Sequence, residues 1–274
     1  MRFAICNETF QDWPVERGFA FARQCGYQGV EIAPFTLAED IRRLSPQRRE
    51  QIRQAAENNQ LQVVGLHWLL AKTEGFYLTS PEPQVRQATA RYLEELARLC
   101  FDLGGQVMVF GSPQQRKLLP GVTHQQALDY AVEVFQRIMP ALEENQVVLA
   151  VEPLAPSEDD FLTTAEAAEE LIDRVDHPHC RLHLDCKAMS SEQVPIPELI
   201  RRHKDRLEHF HANDPNLQGP GFGQLDFVPI FKALREVGYR GWVSVEVFDY
   251  TPGPERLARE SIRYMQQALQ EAGG

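Results

Sequence analysis

The stretch Gln146–Leu162, QVVLAVEPLAPSEDDFL, decides the fold of this chain. Val147–Val151 is a continuous apolar run rich in β-branched residues, a pattern typical of a strand buried on both faces of a parallel sheet. The run ends at Glu152, and Pro153 then stops the strand because proline has no N–H to donate. A carboxylate at the tip of a buried strand is costly unless it is paired or binds a metal. Glu152 alone fits either a salt-bridged strand end or a metal ligand.

Three further apolar strands end in residues of the same kind. They are Arg181–Asp185, Leu207–His211 and Trp242–Glu246, and the last residue of each is a candidate ligand. Together with Glu152 they place two glutamates, one aspartate and one histidine at equivalent strand ends. Carboxylate oxygens and one imidazole suit a hard or borderline divalent ion. The pattern therefore predicts one metal site, with the ligands Glu152, Asp185, His211 and Glu246.

Strand and helix patterns alternate along the chain, with no linker or shift in composition that would divide it. The predicted strands are Phe3–Cys6, Gly29–Ala33, Leu61–Leu66, Val107–Phe110, Val147–Val151, Arg181–Asp185, Leu207–His211 and Trp242–Glu246. A helix is predicted after each strand, the first being Trp13–Cys25 with Asp12 as its N-cap. Regular alternation over this length favours an α/β fold, a single-domain (β/α)8 TIM barrel that spans residues 1–274.

An open doubly wound sheet is the other fold with such alternation. It usually carries a glycine-rich first turn, and here the turn after the first strand is CNETF. In a barrel, the carboxyl ends of the strands form the mouth of the active site. The four candidate ligands come from neighbouring strands, so we expect them to converge on one side of that mouth.

Composition and charge limit the classes of function. The net charge is −11 and the isoelectric point lies near 5.3, which disfavours nucleic acid and anionic membranes as partners because phosphate binding needs clusters of Lys and Arg. No apolar run approaches the ~20 residues of a membrane span. The first strand pattern starts at Phe3, so no signal peptide is expected. The five cysteines include no CxxC and are expected to be free thiols, which indicates a cytoplasmic protein.

Several motifs together resemble a known family. They are VEPL, HLD, FHAND and VSVE around the four candidate ligands, GYQGVEIAPF at Gly26–Phe35 and GPGFGQLDF at Gly219–Phe227. In this order and spacing they resemble the sugar phosphate isomerase/epimerase family of xylose isomerase-like TIM barrels, and within it the D-tagatose and D-psicose 3-epimerases. The resemblance covers nearly the whole chain.

The resemblance implies a function and a set of site residues. The four candidate ligands would bind one divalent ion, usually Mn²⁺, with Mg²⁺, Co²⁺ or Zn²⁺ as alternatives. Glu152 and Glu246 would also be the catalytic acid/base pair, and Glu158 would contact a small carbohydrate substrate. Related barrels often form dimers or tetramers, so the resemblance also implies a homo-oligomer.

Two positions depart from the family pattern. Ala188 stands where the ketose epimerases carry a histidine that contacts substrate, and Leu217 stands at the position that matches a family arginine. The resemblance therefore implies the scaffold and the metal site, but it does not imply a free ketose as the substrate.

Other polar and aromatic residues fall at the predicted mouth and are candidates for substrate binding. His67 ends the third predicted strand and is either a hydrogen-bond donor to substrate or a packed strand-end residue. Glu31 either orients another group or pairs with a basic residue. Asp214 either orients His211 or binds a substrate hydroxyl. Trp68 is a candidate wall for the sugar, although aromatic residues more often belong to the core.

The expected chemistry is proton abstraction next to a carbonyl. A divalent ion that chelates the carbonyl and an adjacent hydroxyl would stabilise the resulting enediolate as a Lewis acid. Return of the proton to the opposite face gives epimerisation, and return to the neighbouring carbon gives an aldose–ketose isomer. The sequence leaves these two outcomes open.

Three other functions remain as alternatives. An inosose dehydratase-like lyase would use the same metal and bases but expel a β-hydroxyl. A non-catalytic barrel would bind the sugar without turning it over. A DNA-repair enzyme of the endonuclease IV type would need more metal ligands and a basic face, and the acidic charge argues against it.

Overall fold

The computed structural model describes residues 1–273, and eight parallel strands within them close into a barrel. The strands are β1 Arg2–Cys6, β2 Gly29–Ile32, β3 Gln62–Leu66, β4 Val107–Phe110, β5 Val148–Val151, β6 Cys180–Asp185, β7 Leu207–Ala212 and β8 Trp242–Val245. Their spatial order follows their order in sequence, and β1 pairs with β8 to close the ring. The predicted TIM barrel is confirmed, with strand ends within one residue of those predicted.

Helices connect the strands and cover the outside of the barrel. They are α1 Val15–Cys25, α2 Pro46–Asn58, α3 Pro83–Asp102, α4 His124–Glu144, α5 Ala165–Val175, α6 Cys186–Met189, α7 Ile196–Arg202, α8 Phe227–Glu236 and α9 Pro254–Glu271. Local sequence sets several of their starts: Ser45 accepts a hydrogen bond from the backbone N–H of Arg48, and Thr123 forms a capping box with Gln126. Within residues 1–273, no helix is both long and apolar enough to span a membrane. The five cysteines are free thiols, as expected.

The predicted start of the first helix was wrong. Asp12 is not its N-cap, because α1 begins at Val15 and Pro14 occupies the cap position without a side-chain hydrogen bond. A short 3-10 helix, Asn7–Phe10, follows β1, and the next residue, Gln11, has a positive φ of 49°. Trp13 stacks on Phe10 with ring centroids 5.6 Å apart, so this contact holds the intervening turn outside the helix.

Two irregularities in the barrel lie beside the candidate site. The register of β2 against β3 shifts between Val30 and Glu31, and that of β6 against β7 shifts between Leu182 and His183. Such bulges re-aim side chains and are common next to active sites. The short helix α6, which begins directly after β6, is a further local feature that the alternation of strands and helices did not predict.

Candidate active site

Four buried side chains meet at the carboxyl ends of β5, β6 and β7. One ligand atom from each lies within 4.8 Å of the others, and the four residues are Glu152, His183, Asp185 and His211. Glu246 joins the group through His211, whose Nδ1 lies 3.1 Å from Glu246 Oε2. The structure thus brings the four predicted ligands together, and it adds His183 from the deeper layer of β6.

The chemistry of this cluster fits a divalent ion. Three carboxylates buried side by side repel one another unless a cation or protons lie between them. Both ring nitrogens of His183 lack a hydrogen-bond partner although the side chain is fully buried, and such orphaned buried atoms are rare. Oxygen ligands together with imidazole suit Mn²⁺, Co²⁺ or Zn²⁺.

The proton affinities of the clustered carboxylates differ. Burial raises the pKa of Glu152 well above its usual value, and the neighbouring Glu246 and Asp185 raise it further. Burial also raises the pKa of Asp185. Burial would raise the pKa of Glu246 as well, but His211 outweighs it and lowers that pKa. The protein therefore gives its two candidate catalytic glutamates different environments.

Glu31 supports the cluster through hydrogen bonds with two histidines. It accepts hydrogen bonds from two ring nitrogens, His209 Nε2 at 2.7 Å and His211 Nε2 at 3.1 Å, and it is 1% exposed. Burial would raise the pKa of Glu31, but the two histidines outweigh it and hold that pKa well below its usual range. Glu31 therefore fixes the orientation of the imidazole of His211, as carboxylates behind metal-ligating histidines do.

His67 and Trp68 follow β3 directly and contact the carboxylates of Glu8 and Glu246. Nε2 of His67 lies 2.8 Å from Glu8 Oε2, and both side chains are buried. Nε1 of Trp68 donates to Glu246 Oε1 at 2.8 Å, and the indole stacks on Phe248 with ring centroids 5.8 Å apart. The other oxygen of this carboxylate lies 3.1 Å from His211 Nδ1, so both oxygens of Glu246 lie next to a polar group.

Sequence reasoning missed Lys187, which reaches into the cavity from α6. Its Nζ lies 2.5 Å from Glu158 Oε2 and 4.4 Å from the ring centroid of Phe248, and the residue is 7% exposed. Burial would lower the pKa of Lys187, but Asp185 and Glu158 outweigh it and raise that pKa, so the ammonium is charged. A lysine next to a strand-end aspartate carries no sequence signal, because most lysines lie on the surface.

Asn213 and Asp185 together place Lys187. Asp185 Oδ1 accepts the N–H of Ala188 at 2.7 Å, which starts the short helix α6. Asn213 Nδ2 donates to Asp185 Oδ2 at 2.5 Å, and Asn213 Oδ1 accepts the N–H of Lys187 at 2.8 Å. The FHAND motif therefore orients one candidate ligand and the lysine beside it.

Asp214 and Leu217 shape the loop after β7. The carboxylate of Asp214 is buried and accepts the backbone N–H of Leu225 at 3.0 Å, and a side chain at Gly223 would collide with it because a Cβ there would lie 1.8 Å from Oδ1. Leu217 is 44% exposed and its carbonyl accepts two N–H groups from the loop after β8. Substrate contact by Asp214, like that by Glu31 and His67, stays a prediction, because each is hydrogen-bonded to protein groups.

A fully buried ion pair anchors the loop EPLAPSEDDF. Arg116 Nε lies 2.5 Å from Asp159 Oδ2, and both side chains are 0% exposed. Arg116 also donates to the carbonyl oxygens of Glu152 at 2.6 Å and Leu162 at 3.2 Å. One arginine therefore ties both ends of this loop together and fixes the backbone from which Glu152 and Glu158 extend.

Four of the predicted site residues line one cavity. A cavity of about 300 Å³, which we call the inner chamber, is lined by Trp68, Glu152, Glu158 and Glu246 together with Lys187 and Phe248. Gly111 also lines this chamber, and it leaves room for Glu152, because a Cβ at this position would lie 1.6 Å from Glu152 Oε2. The metal-type cluster lies at the base of this chamber, because Glu152 belongs to both.

Comparisons with known proteins place the chain in a family. Residues 19–268 match the family described as xylose isomerase-like TIM barrel, and the chain belongs to this family. A probable ketose 3-epimerase from Synechocystis sp. is 24% identical over 268 residues, which are 92% of this chain and 90% of the relative. The 3-dehydro-D-guloside 4-epimerase of Escherichia coli is 24% identical over 273 residues, 97% of this chain and 99% of that protein.

A solved structure confirms the fold. The crystal structure of D-psicose 3-epimerase with D-tagatose from Clostridium cellulolyticum H10 superposes with a TM-score of 0.86 at 19% identity, and it covers 98% of this chain and 99% of that chain. The resemblance to xylose isomerase-like barrels and psicose epimerases is therefore confirmed.

Proposed function

We propose that the protein is a divalent-metal-dependent sugar epimerase that inverts a hydroxyl-bearing carbon beside a ketone, in the manner of a ketose 3-epimerase. One observation carries the proposal: Glu152 and Glu246 line the same inner chamber above a metal-type cluster, and they come from the ends of β5 and β8. The family and the relative named as a probable ketose 3-epimerase support it.

Glu152 and Glu246 would move the protons. One glutamate, ionised, takes the proton from the carbon beside the carbonyl, and the C–H electron pair moves toward the carbonyl oxygen to form an enediolate. The other glutamate, protonated, gives a proton to the opposite face of the same carbon, and the enediolate collapses to the ketone. The orientation of Glu246, which accepts a hydrogen bond from Trp68 Nε1, suits it to this transfer.

Glu152, Asp185, His211 and Glu246 would hold one divalent ion, with Mn²⁺ as the first choice. When bound, such an ion supplies Lewis-acid polarisation of the substrate carbonyl. The protein orients these ligands in advance, since Asn213 holds Asp185 and Glu31 holds His211.

Lys187 and Glu158 would bind the sugar hydroxyls in this chamber. The ammonium replaces donors that the family places elsewhere, because the side chain of Ala188 has no polar group and that of Leu217 is exposed. Both side chains line the inner chamber, and Glu158 Oε1 remains free to accept while Oε2 pairs with Lys187.

The buried Lys187 also favours elimination as the second candidate function. An ammonium beside Glu158 in the inner chamber is placed to protonate a departing β-hydroxyl after the α-proton has left. A dehydratase and an epimerase then differ only in the fate of the enediolate.

Incubation in D₂O tests both functions. The Mn²⁺-loaded protein is mixed with ketoses, ketose phosphates and inososes, and the C–H signals and products are followed by NMR. We expect deuterium to enter beside the carbonyl while the epimer accumulates; accumulation of a dehydrated product would assign the lyase instead. Formation of the epimer should require both Glu152 and Glu246, whereas Glu166→Gln, on the exposed face of α5, should behave as the parent protein. Metal binding without exchange of any substrate would contradict the proposal.

A further inference from the structure

A larger second chamber adjoins the inner chamber. It has a volume of about 680 Å³, more than twice the 300 Å³ of the inner one, and we call it the outer chamber. The two chambers share three wall residues, Trp68, Lys72 and Phe248. The stacked rings of Trp68 and Phe248 therefore form a common wall between the two adjoining spaces.

The outer chamber has aromatic walls. Its aromatic lining residues beyond the common wall are Phe10, Trp13, Phe35 and Tyr250. Phe10 and Trp13 stack on each other, and Phe35 packs against Trp68 with ring centroids 5.8 Å apart. Concave sites lined by aromatic faces with a few polar groups are typical of small-molecule binding.

One buried polar atom of this chamber has no partner in the protein. Glu8 lines the outer chamber and is 4% exposed, and its Oε1 makes no hydrogen bond while Oε2 is engaged by His67. By contrast, the amide of Asn7 in the same wall is satisfied by Ala33 and Thr36. Leaving a buried polar atom unpaired is costly, so Glu8 Oε1 is a site for a hydrogen-bonding group of a ligand.

Glu8 also links the outer chamber to the catalytic carboxylates. One carboxylate oxygen of Glu8 lies within 4.8 Å of an oxygen of Glu246, and a nitrogen of His67 lies within the same distance of each. A ligand group that pairs with Glu8 from the outer chamber is therefore adjacent to the place where the proposed proton transfer occurs. The two chambers can be filled by two parts of one molecule.

We infer that the substrate is a keto sugar joined to a second group through a glycosidic bond, with the keto ring in the inner chamber and the second group in the outer chamber. This inference rests on the proposed function. A free hexose would fill the smaller space and leave the aromatic walls without a contact. Glu8 and Asp12 give the outer wall two carboxyl groups against the single ammonium of Lys72, whose Nζ lies 4.2 Å from the ring centroid of Phe35, so a neutral sugar or aromatic aglycone fits this wall better than an anionic group. The relative named 3-dehydro-D-guloside 4-epimerase has a glycoside in its name, which agrees with this substrate class.

Matched glycosides test the inference. The 3-keto forms of methyl β-D-glucoside and phenyl β-D-glucoside share the reacting ring and differ only in the group that would enter the outer chamber. With the Mn²⁺-loaded protein, we expect the ratio of kcat/KM for deuterium exchange to favour the phenyl glycoside ~10-fold or more, and Phe35→Ala to reduce that ratio toward 1. Phe101→Ala, which removes an exposed aromatic ring on α3, should leave the ratio unchanged.

A binding measurement separates the two proposals. Saturation-transfer NMR with unoxidised phenyl β-D-glucoside reports contact of the phenyl protons without turnover, and we expect this signal to be lost in Phe35→Ala. Equal exchange of both keto glycosides, with a ratio that Phe35→Ala does not alter, would overturn the two-part substrate while the epimerase proposal stood. Phenyl contact that depends on Phe35, without exchange of the keto glycosides or of any ketose, ketose phosphate or inosose, would support the outer chamber and overturn the epimerase. Absence of both signals would overturn both.

Discussion

The buried pair of Arg116 and Asp159 offers a quantitative test of how the active-site loop is held. In Arg116→Met, Asp159 keeps its charge in a site with no exposure, and the carbonyl oxygens of Glu152 and Leu162 lose their donors. Removing one partner of a buried ion pair typically costs about 3–5 kcal/mol. At roughly 2–4 °C per kcal/mol for a chain near this size, the expected fall in Tm is about 6–20 °C.

The assay is urea unfolding followed by circular dichroism, with the thermal midpoint as a second readout. Arg137→Met is the matched control, because this arginine is 43% exposed and lies 3.9 Å from Glu133, a surface pair that contributes less than about 1 kcal/mol. The double variant Arg116→Met/Asp159→Leu should recover part of the loss, because no uncompensated charge remains while the backbone groups that bond to the two side chains stay unpaired. A cost for Arg116→Met no larger than that for Arg137→Met would refute the reasoning.

Three further predictions follow from the site. Lys187→Met should lower kcat by about 10²–10³-fold, because it removes a preorganised hydrogen-bond donor. Lys232→Met, which changes an exposed residue of α8, should leave kcat unchanged. Equal kinetics in the two variants would contradict a role of Lys187 in the inner chamber. Mn²⁺ at a hundredfold excess over its Kd should stabilise chelator-treated protein by about 2.7 kcal/mol, and a calorimetric scan should show the stabilisation vanish in His211→Ala. Burial would lower the pKa of His67, but Cys6 and Glu8 raise that pKa well above its usual value. The charged imidazole therefore stabilises the fold fully below about pH 6.5, and this stabilisation is lost as the pH rises through the folded-state pKa. The free energy of unfolding of His67→Gln should be lower than that of the parent by about 1.5–3 kcal/mol at pH 6, and this difference should shrink at alkaline pH. A difference that does not change with pH would contradict a stabilising charge on His67.

The barrel and the ligand set were predictable because both follow from local patterns. A buried parallel strand such as β5 has a continuous apolar run, and its carboxyl end marks the mouth of the barrel. Four strands of this kind, each with a ligand-type residue at its tip, therefore indicate one convergent cluster without knowledge of any side-chain position.

The supporting contacts were not predictable, because they join residues far apart in sequence. Glu31 and His209 are 178 residues apart and meet only after the ring closes and the register of β2 shifts. Lys187 turns inward because Asp185 caps a four-residue helix, which is too short to leave a periodic pattern. The role of Glu8 likewise depends on His67, which follows β3 and lies far from Glu8 in sequence.

Deuterium exchange in single-glutamate variants tests the two-base mechanism most directly. Glu152→Gln and Glu246→Gln, both loaded with Mn²⁺ and checked for metal content, are each given the two epimers of a substrate separately in D₂O. If each glutamate serves one face of the reacting carbon, neither variant should interconvert the epimers, and each should exchange the proton of one epimer only, a different one in the two variants. Epimerisation by either variant, or exchange of the same epimer by both, would contradict the assignment of Glu152 and Glu246 as the acid/base pair.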